Sequence, residues 1–504
     1  MINPVNKVME DYTQVVGSTI SPRDAEWREI LRQDKSAKER SAIPRAQMPQ
    51  LDPSYRVTTM EAEVNQGLSE KQAVVEASRC LDCPNPGCVT GCPVGINIPG
   101  FIKNIERGDF HQAAITLKET SALPAVCGRV CPQEKQCESK CIYNKMKKEP
   151  VAIGWLERFA ADTEQKRSDS DKAVQPLTNS RRIAVVGSGP AGLSFAGEMS
   201  RRGYDITVFE ALHEIGGVLK YGIPEFRLPN VVVENEIDSL RRGGVNFEVD
   251  CVIGKTYSYD DLLSMGFEAM FVASGAGLPR FMGIPGENLI GVMSSNEYLT
   301  RINLMGAGRE GYATPVLKGT RVAVIGGGNT AMDSVRTALR MGAEEASIVY
   351  RRSEAEMPAR VEEVHHAKEE GVKFLTLHNP VEYLSDENGR VCTMRLQRME
   401  LGEPDASGRR SPVPVEGAIE EVPVDLVIVS VGVSPNPLVP SSIDGLEVTR
   451  RGTIAVDDTT LQSSIPVLYA GGDIVRGGAT VILAMGDGRR AAAAMDEMLS
   501  AKGK

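Results

Sequence analysis

Two runs of cysteine carry the densest chemistry in the chain. CLDCPNPGCVTGCP holds Cys80, Cys83, Cys88 and Cys92, and CGRVCPQEKQCESKC holds Cys127, Cys131, Cys137 and Cys141. The spacings are C-x2-C-x4-C-x3-C-P and C-x3-C-x5-C-x3-C. Thiolates at this density suit a soft metal, either zinc or iron–sulfur. Structural zinc favours two C-x2-C pairs, and only Cys80 and Cys83 make one. The first run lies nearer the iron–sulfur spacing C-x2-C-x2-C-x3-C-P, whose fourth cysteine ligates a second cluster. A one-electron iron–sulfur wire is the expectation, with zinc as the alternative. Cys251 and Cys392 stand alone and read as inert.

Two glycine loops supply the second chemistry. Gly187-x-Gly189-x-x-Gly192, with Pro190 and Ala191 inside it, follows the apolar run 183–186 and opens a helix. Such a loop lets a pyrophosphate approach the backbone and sit on a helix N-terminus. Glu210 ends the next strand, 23 residues after Gly187, where a carboxylate can accept from ribose hydroxyls. The second loop is Gly326-x-Gly328-x-x-Ala331, 139 residues after the first. Its next strand ends in Arg351-Arg352. Two guanidinium groups there suit a 2′-phosphate, so this site reads as NADPH rather than NADH. Two dinucleotide sites in one chain imply a flavoprotein with FAD on one and NADPH on the other.

Later segments support that reading. FVASGAG (271–277) is a buried strand entering a turn at Gly275, and VLYAGGDIVRGGATVILAMGDGRRAA (467–492) is a strand, a turn with Asp473 and a helix starting near Thr480. These resemble the segments of flavoproteins with two dinucleotide-binding domains, such as glutathione and thioredoxin reductases. That resemblance implies Asp473 on the FAD ribitol, the helix near Thr480 facing the flavin, and an FAD domain split by the NADPH domain. Neither dinucleotide domain contains a C-x2-C pair. Electrons are therefore expected to leave through the cysteine runs instead.

The elements around these residues are legible. LSEKQAVVEASRC (68–80) reads as a helix capped by Ser69 and Gln72 that runs into the first cysteine. Residues 98–120 read as one or two helices, 150–166 as another, and 167–180 as a polar linker. Residues 1–79 are polar and helix-leaning, broken at Pro44, Pro49 and Pro53. The fold class is α/β: a helical iron–sulfur domain, then two Rossmann-like domains. The expected boundaries are 1–175, 176–297 (FAD, first part), 298–433 (NADPH) and 434–504 (FAD, second part). Net charge −10 argues against nucleic acid and anionic membranes, and no apolar run is long enough to span a bilayer. The N-terminus has no apolar signal core, so a cytoplasmic location is expected.

Taken together, CLDCPNPGCVTGCPVGINIP, LPAVCGRVCPQEKQCESKC, VAIGWLERF, VVGSGPAGL, GGVLKYGIPEFRLP, GGGNTAMD and YRR resemble the glutamate synthase small-subunit family over about residues 75–495. The same module resembles the N-terminal part of dihydropyrimidine dehydrogenase and the large subunit of the bifurcating NADH-dependent ferredoxin:NADP oxidoreductase. The resemblance implies two 4Fe–4S clusters with crossed ligands. Cys80, Cys83, Cys88 and Cys141 would hold one. Cys92, Cys131 and Cys137 would hold the other, with Glu157 in the position of a non-cysteine ligand and Cys127 as the competing candidate. It further implies Gly217 and Arg227 at the FAD, and Asn329, Thr330 and Arg360 at the NADPH. No general acid or base is required, because the flavin performs hydride transfer. The partner would be a glutamate synthase large subunit, or a small ferredoxin-reductase-like flavoprotein in the bifurcating enzyme. The chain opens Met1-Ile2 without a Cys nucleophile and leaves no residues for a synthase barrel, so glutamate formation would fall to that partner. A non-catalytic iron–sulfur or zinc scaffold is the reading from another class.

Overall fold

The computed structural model describes residues 22–167, 179–406 and 408–502. Most of the expected linker therefore lies outside the described residues. The N-terminal unit is helical. Its helix Glu70–Ser78 starts at Ser69, whose hydroxyl and Gln72 form the expected capping box. Residues 98–120 make two helices, Ile98–Glu106 and Phe110–Lys118, separated at Gly108 with φ +82°. The helices Pro124–Val130 and Ile153–Lys166 cross at Gly128, where a Cβ would stand 2.5 Å from the Arg158 amide nitrogen.

The strands show the split domain. Strands β1 (Arg182–Val186), β2 (Asp205–Phe209), β3 (Val245–Glu248) and β4 (Phe267–Val272) come first. Short β5 (Leu278–Pro279) leads out to β6 (Val292–Ser294), β7 (Arg321–Ile325), β8 (Glu345–Tyr350) and β9 (Lys373–Thr376). Three antiparallel strands follow: β10 (His378–Ser385), β11 (Val391–Pro404) and β12 (Arg410–Pro423). Then come β13 (Leu426–Val429), β14 (Val433–Ser434), which pairs with β5, and β15 (Leu468–Ala470). The first parallel sheet has the order β15-β4-β1-β2-β3 and the second β6-β13-β7-β8-β9. The last strand thus rejoins the first sheet across the whole second one. Strand β6 pairs with β13, so the second sheet begins before the boundary expected at 297/298.

One hydrophobic core runs through the helical unit and the first sheet. It joins Phe101, Leu117, Val126 and Leu156 to Phe195, Leu240 and Met485. Phe195 stacks on Phe271 with centroids 4.3 Å apart, fixing the first-loop helix on its sheet. The helix Val481–Lys502 packs on the helix Pro190–Arg201, at Gly488 against Ala191. The second sheet has its own core around Met332, Val335, Ile348 and Leu426.

Candidate cofactor sites

The two cysteine runs fold against each other because glycine lets them. A Cβ on Gly91 would lie 2.9 Å from the Gln136 oxygen and 3.2 Å from the Cys137 Cα. A Cβ on Gly87 would lie 2.9 Å from the Lys140 oxygen. The thiols lie near enough to act on one another's ionisation. Burial raises Cys88, and the charges of Cys80, Cys141 and Cys83 add to it. Burial likewise raises Cys83, with Cys141 next. In the other expected set burial pushes Cys92 up to about 11, with Glu157 and Cys127 contributing. Cys137 is raised by burial, then by Glu138, Cys92 and Glu157. Cys131 is raised by a hydrogen bond with Cys127, then by burial. None of the ten is in a disulfide.

Buried thiols of this kind ionise only when a cation compensates them. Glu157 shares that surrounding. It is buried, its carboxyl is pushed up to about 8 by burial, and its Oε1 has no hydrogen-bond partner. An orphaned carboxylate oxygen among buried thiols fits a metal cluster. Among the described residues no three such groups converge on a single-ion site. A cluster, in which each iron takes one thiolate, does not ask for that convergence. Cys127, Cys131 and Cys137 are buried, while Cys92 shares partial exposure with Cys80, Cys83, Cys88 and Cys141.

The loop carrying the first set is held firmly. Asp82 sits between Cys80 and Cys83 with φ +51°, and Arg28 and Arg32 of the helix Glu26–Asp34 clasp its carboxylate. Arg23 donates to the Asp82 carbonyl at 2.8 Å, and Lys103 Nζ donates to the Cys80 carbonyl at 2.7 Å.

The first glycine loop has the form of a dinucleotide cradle. Gly187 has φ +101°, and a Cβ there would stand 2.5 Å from the Ala273 oxygen. Gly189 starts the helix Pro190–Arg201, without a side-chain cap, and faces open space. Glu210 Oε2 accepts from the Ser188 backbone at 2.9 Å, while the Ser188 hydroxyl accepts from Gly216 N at 2.9 Å. These bonds close the loop on Gly217, where φ is +55° and a Cβ would be 2.9 Å from Gly189 Cα. Gly275, with φ +70°, also faces open space, and the neighbouring Ser274 hydroxyl is buried and unpartnered. Asp473 Oδ1 accepts from Ala479 N at 2.8 Å, just before Thr480 and the last helix. Burial raises its carboxyl. Vacant space, an uncapped helix and an orphaned hydroxyl fit a bound dinucleotide.

Several residues of this site were not picked out from the sequence. Burial pushes Tyr221 up to about 12, and the charges of Asp473 and Glu210 add to it. Asp487 is buried, accepts from Gly472 N at 3.0 Å and pairs with Arg476 and Arg490, pinning the Gly471–Gly472 turn. Its only sequence signal is the run GDGRR (486–490), small and charged residues inside an apolar helix. Arg227, expected at the first cofactor, pairs instead with Asp333 at 2.8 Å on the second-loop helix.

The second loop repeats the geometry. Gly326 has φ +143°, and its missing Cβ leaves room for the Ser430 carbonyl. Gly328 faces open space at the uncapped start of the helix Asn329–Arg340, with Thr330 exposed and Ala331 buried. Asn329 Oδ1 accepts from Arg360 N at 2.9 Å. The Arg360 guanidinium points elsewhere, donating to the Arg129 carbonyl at 2.6 Å and to Gln133 at 2.9 Å. At the end of β8, Arg351 is exposed and has no partner among the described residues, whereas Arg352 is buried and pairs with Asp405 at 2.6 Å.

The last helix joins the first-loop helix to the cysteine runs. Cys127 Sγ lies 3.4 Å from Met485 Sδ, Gly486 abuts the Pro93 carbonyl, and Arg489 donates to the Val94 carbonyl at 2.9 Å.

Comparison with known proteins agrees with this layout. A family model described as dihydropyrimidine dehydrogenase domain II, 4Fe–4S cluster, matches residues 56–169. One described as pyridine nucleotide-disulphide oxidoreductase matches residues 181–488. The glutamate synthase [NADPH] small chain of Azospirillum brasilense is 37% identical, over 90% of this chain and 95% of its own. The NADP(+)-dependent formate dehydrogenase subunit beta of Moorella thermoacetica is 39% identical over 82% of this chain, which spans 60% of that longer protein. Among solved structures, Mycobacterium tuberculosis FprA in complex with NADPH shares the fold, with a TM-score of 0.55 and 20% identity over 64% of this chain and 86% of its own. With both modules matched and a relative aligned almost end to end, the chain belongs to the glutamate synthase small-chain family of flavin and iron–sulfur oxidoreductases.

Proposed function

We propose that this chain oxidises NADPH and delivers the electrons to a partner, which in the best-supported reading is a glutamate synthase large subunit. When bound, FAD takes the hydride and the two 4Fe–4S clusters pass electrons on one at a time. The chain's own residues bind and orient these groups. The first glycine loop, Glu210, Gly217, Gly275, Asp473 and the helix from Thr480 hold FAD. The second loop and Arg351 hold NADPH. Cys80, Cys83, Cys88 and Cys141 hold the outer cluster, and Cys92, Cys131, Cys137 and Glu157 the inner one. Cys127 is then a packing neighbour of the inner cluster.

The observation that carries this reading is the contact between Cys127 and Met485, which puts the buried cysteine set against the helix that begins at the flavin turn. All four cysteines of the outer set are partly exposed, which supports that set as the exit. The return of β15 to the first sheet supports an FAD domain interrupted from β5 to β14, with the cluster domain ahead of β1. A cytoplasmic location suits the ten free thiols, and no described helix is long and apolar enough to cross a membrane. The identity to a formate dehydrogenase subunit keeps a second acceptor in view. Anaerobic purification with the native partner, identified by mass, decides between them. A very large partner with amidotransferase and synthase domains supports glutamate synthase, and a dehydrogenase or a small flavoprotein overturns it.

A further inference from the structure

The strand-end arginines of the second site are in unequal states. Arg351 is exposed and unpartnered among the described residues. Arg352 is almost wholly buried and held on two sides by the long β11–β12 hairpin. Its Nη2 pairs with Asp405 at 2.6 Å, and its Nε donates to the Arg410 carbonyl at 2.8 Å. Asp405 in turn belongs to the hairpin turn: its amide donates to the Arg409 carbonyl at 2.7 Å, and Gly408 N donates to its own carbonyl at 2.8 Å. The hairpin therefore reaches back to the end of β8, although 53 residues separate Arg352 from Asp405.

We propose that this hairpin turn is a specificity element of the NADPH site, with Asp405 as the positioning residue. The proposal rests on the reading of the second loop as the NADPH site. A guanidinium is a planar fork with two usable edges. Asp405 and the Arg410 carbonyl occupy Nη2 and Nε, and Nη1 has no partner among the described residues. Arg352, next in sequence to Arg351 at the strand end, thus keeps one unpaired edge and would lose little of the rotamer entropy a loose arginine loses on binding. A 2′-phosphate gains from that arrangement, whereas an unmodified ribose does not.

The test is calorimetric binding of 2′,5′-ADP and 5′-ADP to the flavin-loaded full chain. Asp405→Ala should weaken 2′,5′-ADP about tenfold, the equivalent of one charge-assisted hydrogen bond, and leave 5′-ADP unchanged. Asp405→Asn keeps an acceptor oxygen for Nη2 and should retain most of the preference. Retained 5′-ADP binding shows that the variant is folded. Equal or tighter 2′,5′-ADP binding by Asp405→Ala overturns the proposal, and so does selective loss of 5′-ADP, which would make Asp405 a ribose acceptor. A wild-type chain that does not prefer 2′,5′-ADP overturns the NADPH reading itself, before Asp405 is involved.

Discussion

Glu157 is the residue whose chemistry depends most on what surrounds it. Its buried Oε1 lacks a partner among the described residues, and burial, then the buried Glu236, raises its carboxyl. Glu157→Gln keeps a ligand oxygen but removes one negative charge, so the inner cluster should become easier to reduce. Glu157→Ala should lower the iron content instead. Potentiometric titration followed by electron paramagnetic resonance reads both. If neither variant alters iron content, potential or signal shape, Cys127 is the ligand. Arg351→Ala should raise KM for NADPH by about tenfold and leave NADH unchanged, since it removes one charge-assisted contact. His366 gives a prediction in pH. Burial lowers it to about 4, Glu363 opposes that, and Arg336, Glu362 and Arg56 also face it. Neither ring nitrogen has a partner among the described residues. Below an unfolded value near 6.5 the unfolded chain takes a proton that the folded one refuses, so stability falls as pH drops from about 6.5 towards 4. The loss reaches about 2 kcal/mol at pH 5. His366→Leu should lose less stability than wild type between pH 7 and pH 5 in urea unfolding, and an equal loss would place the acid sensitivity elsewhere.

At the scale of elements, glycines decide which segments meet. Gly128→Ala would force its Cβ against the Arg158 backbone and part the helices that carry Cys131 and Glu157. Overpacking of this kind costs about 1–3 kcal/mol. The expected result is a lower melting temperature together with loss of the inner cluster's signal, while flavin absorbance persists. Asp487→Ala should do the reverse, because it frees the Gly471–Gly472 turn at the flavin and leaves both cysteine runs intact. What the sequence makes legible follows the same division. The strand–loop–helix units at Gly187 and Gly326 and the Ser69 capping box are local patterns, and each appears where its spacing places it. Arg227 and Arg360 match family positions, but nothing near them in sequence announces Asp333 or Gln133 as their partners. The start of the second sheet at β6 was hidden for a similar reason: a three-residue strand has too few positions to show a period.

At the scale of the molecule, three units are locked by buried charge. Arg56 of the N-terminal unit pairs with Glu370 at 2.7 Å and Glu369 at 2.8 Å on the NADPH side. Arg227 bridges the FAD side to Asp333, and Arg360 ties the second loop to the cysteine unit through Gln133. Residues 22–79, without a role in the sequence reading, therefore clasp both the first cysteine loop and the NADPH unit. Because Glu370 keeps Arg336 and Arg340, Arg56→Ala should cost about 2 kcal/mol rather than the 3–5 of a fully stranded buried charge. The cysteine unit meets the last helix separately, through Cys127 on Met485 and Arg489 on the Val94 carbonyl. The most direct test of the proposed function is metal and flavin analysis of the anaerobically purified chain, followed by NADPH reduction under electron paramagnetic resonance. About eight irons and eight acid-labile sulfides per FAD are expected, with iron–sulfur signals appearing once NADPH is added. Zinc in place of iron, or a flavin that NADPH reduces while the clusters stay oxidised at every potential reached, would contradict that function.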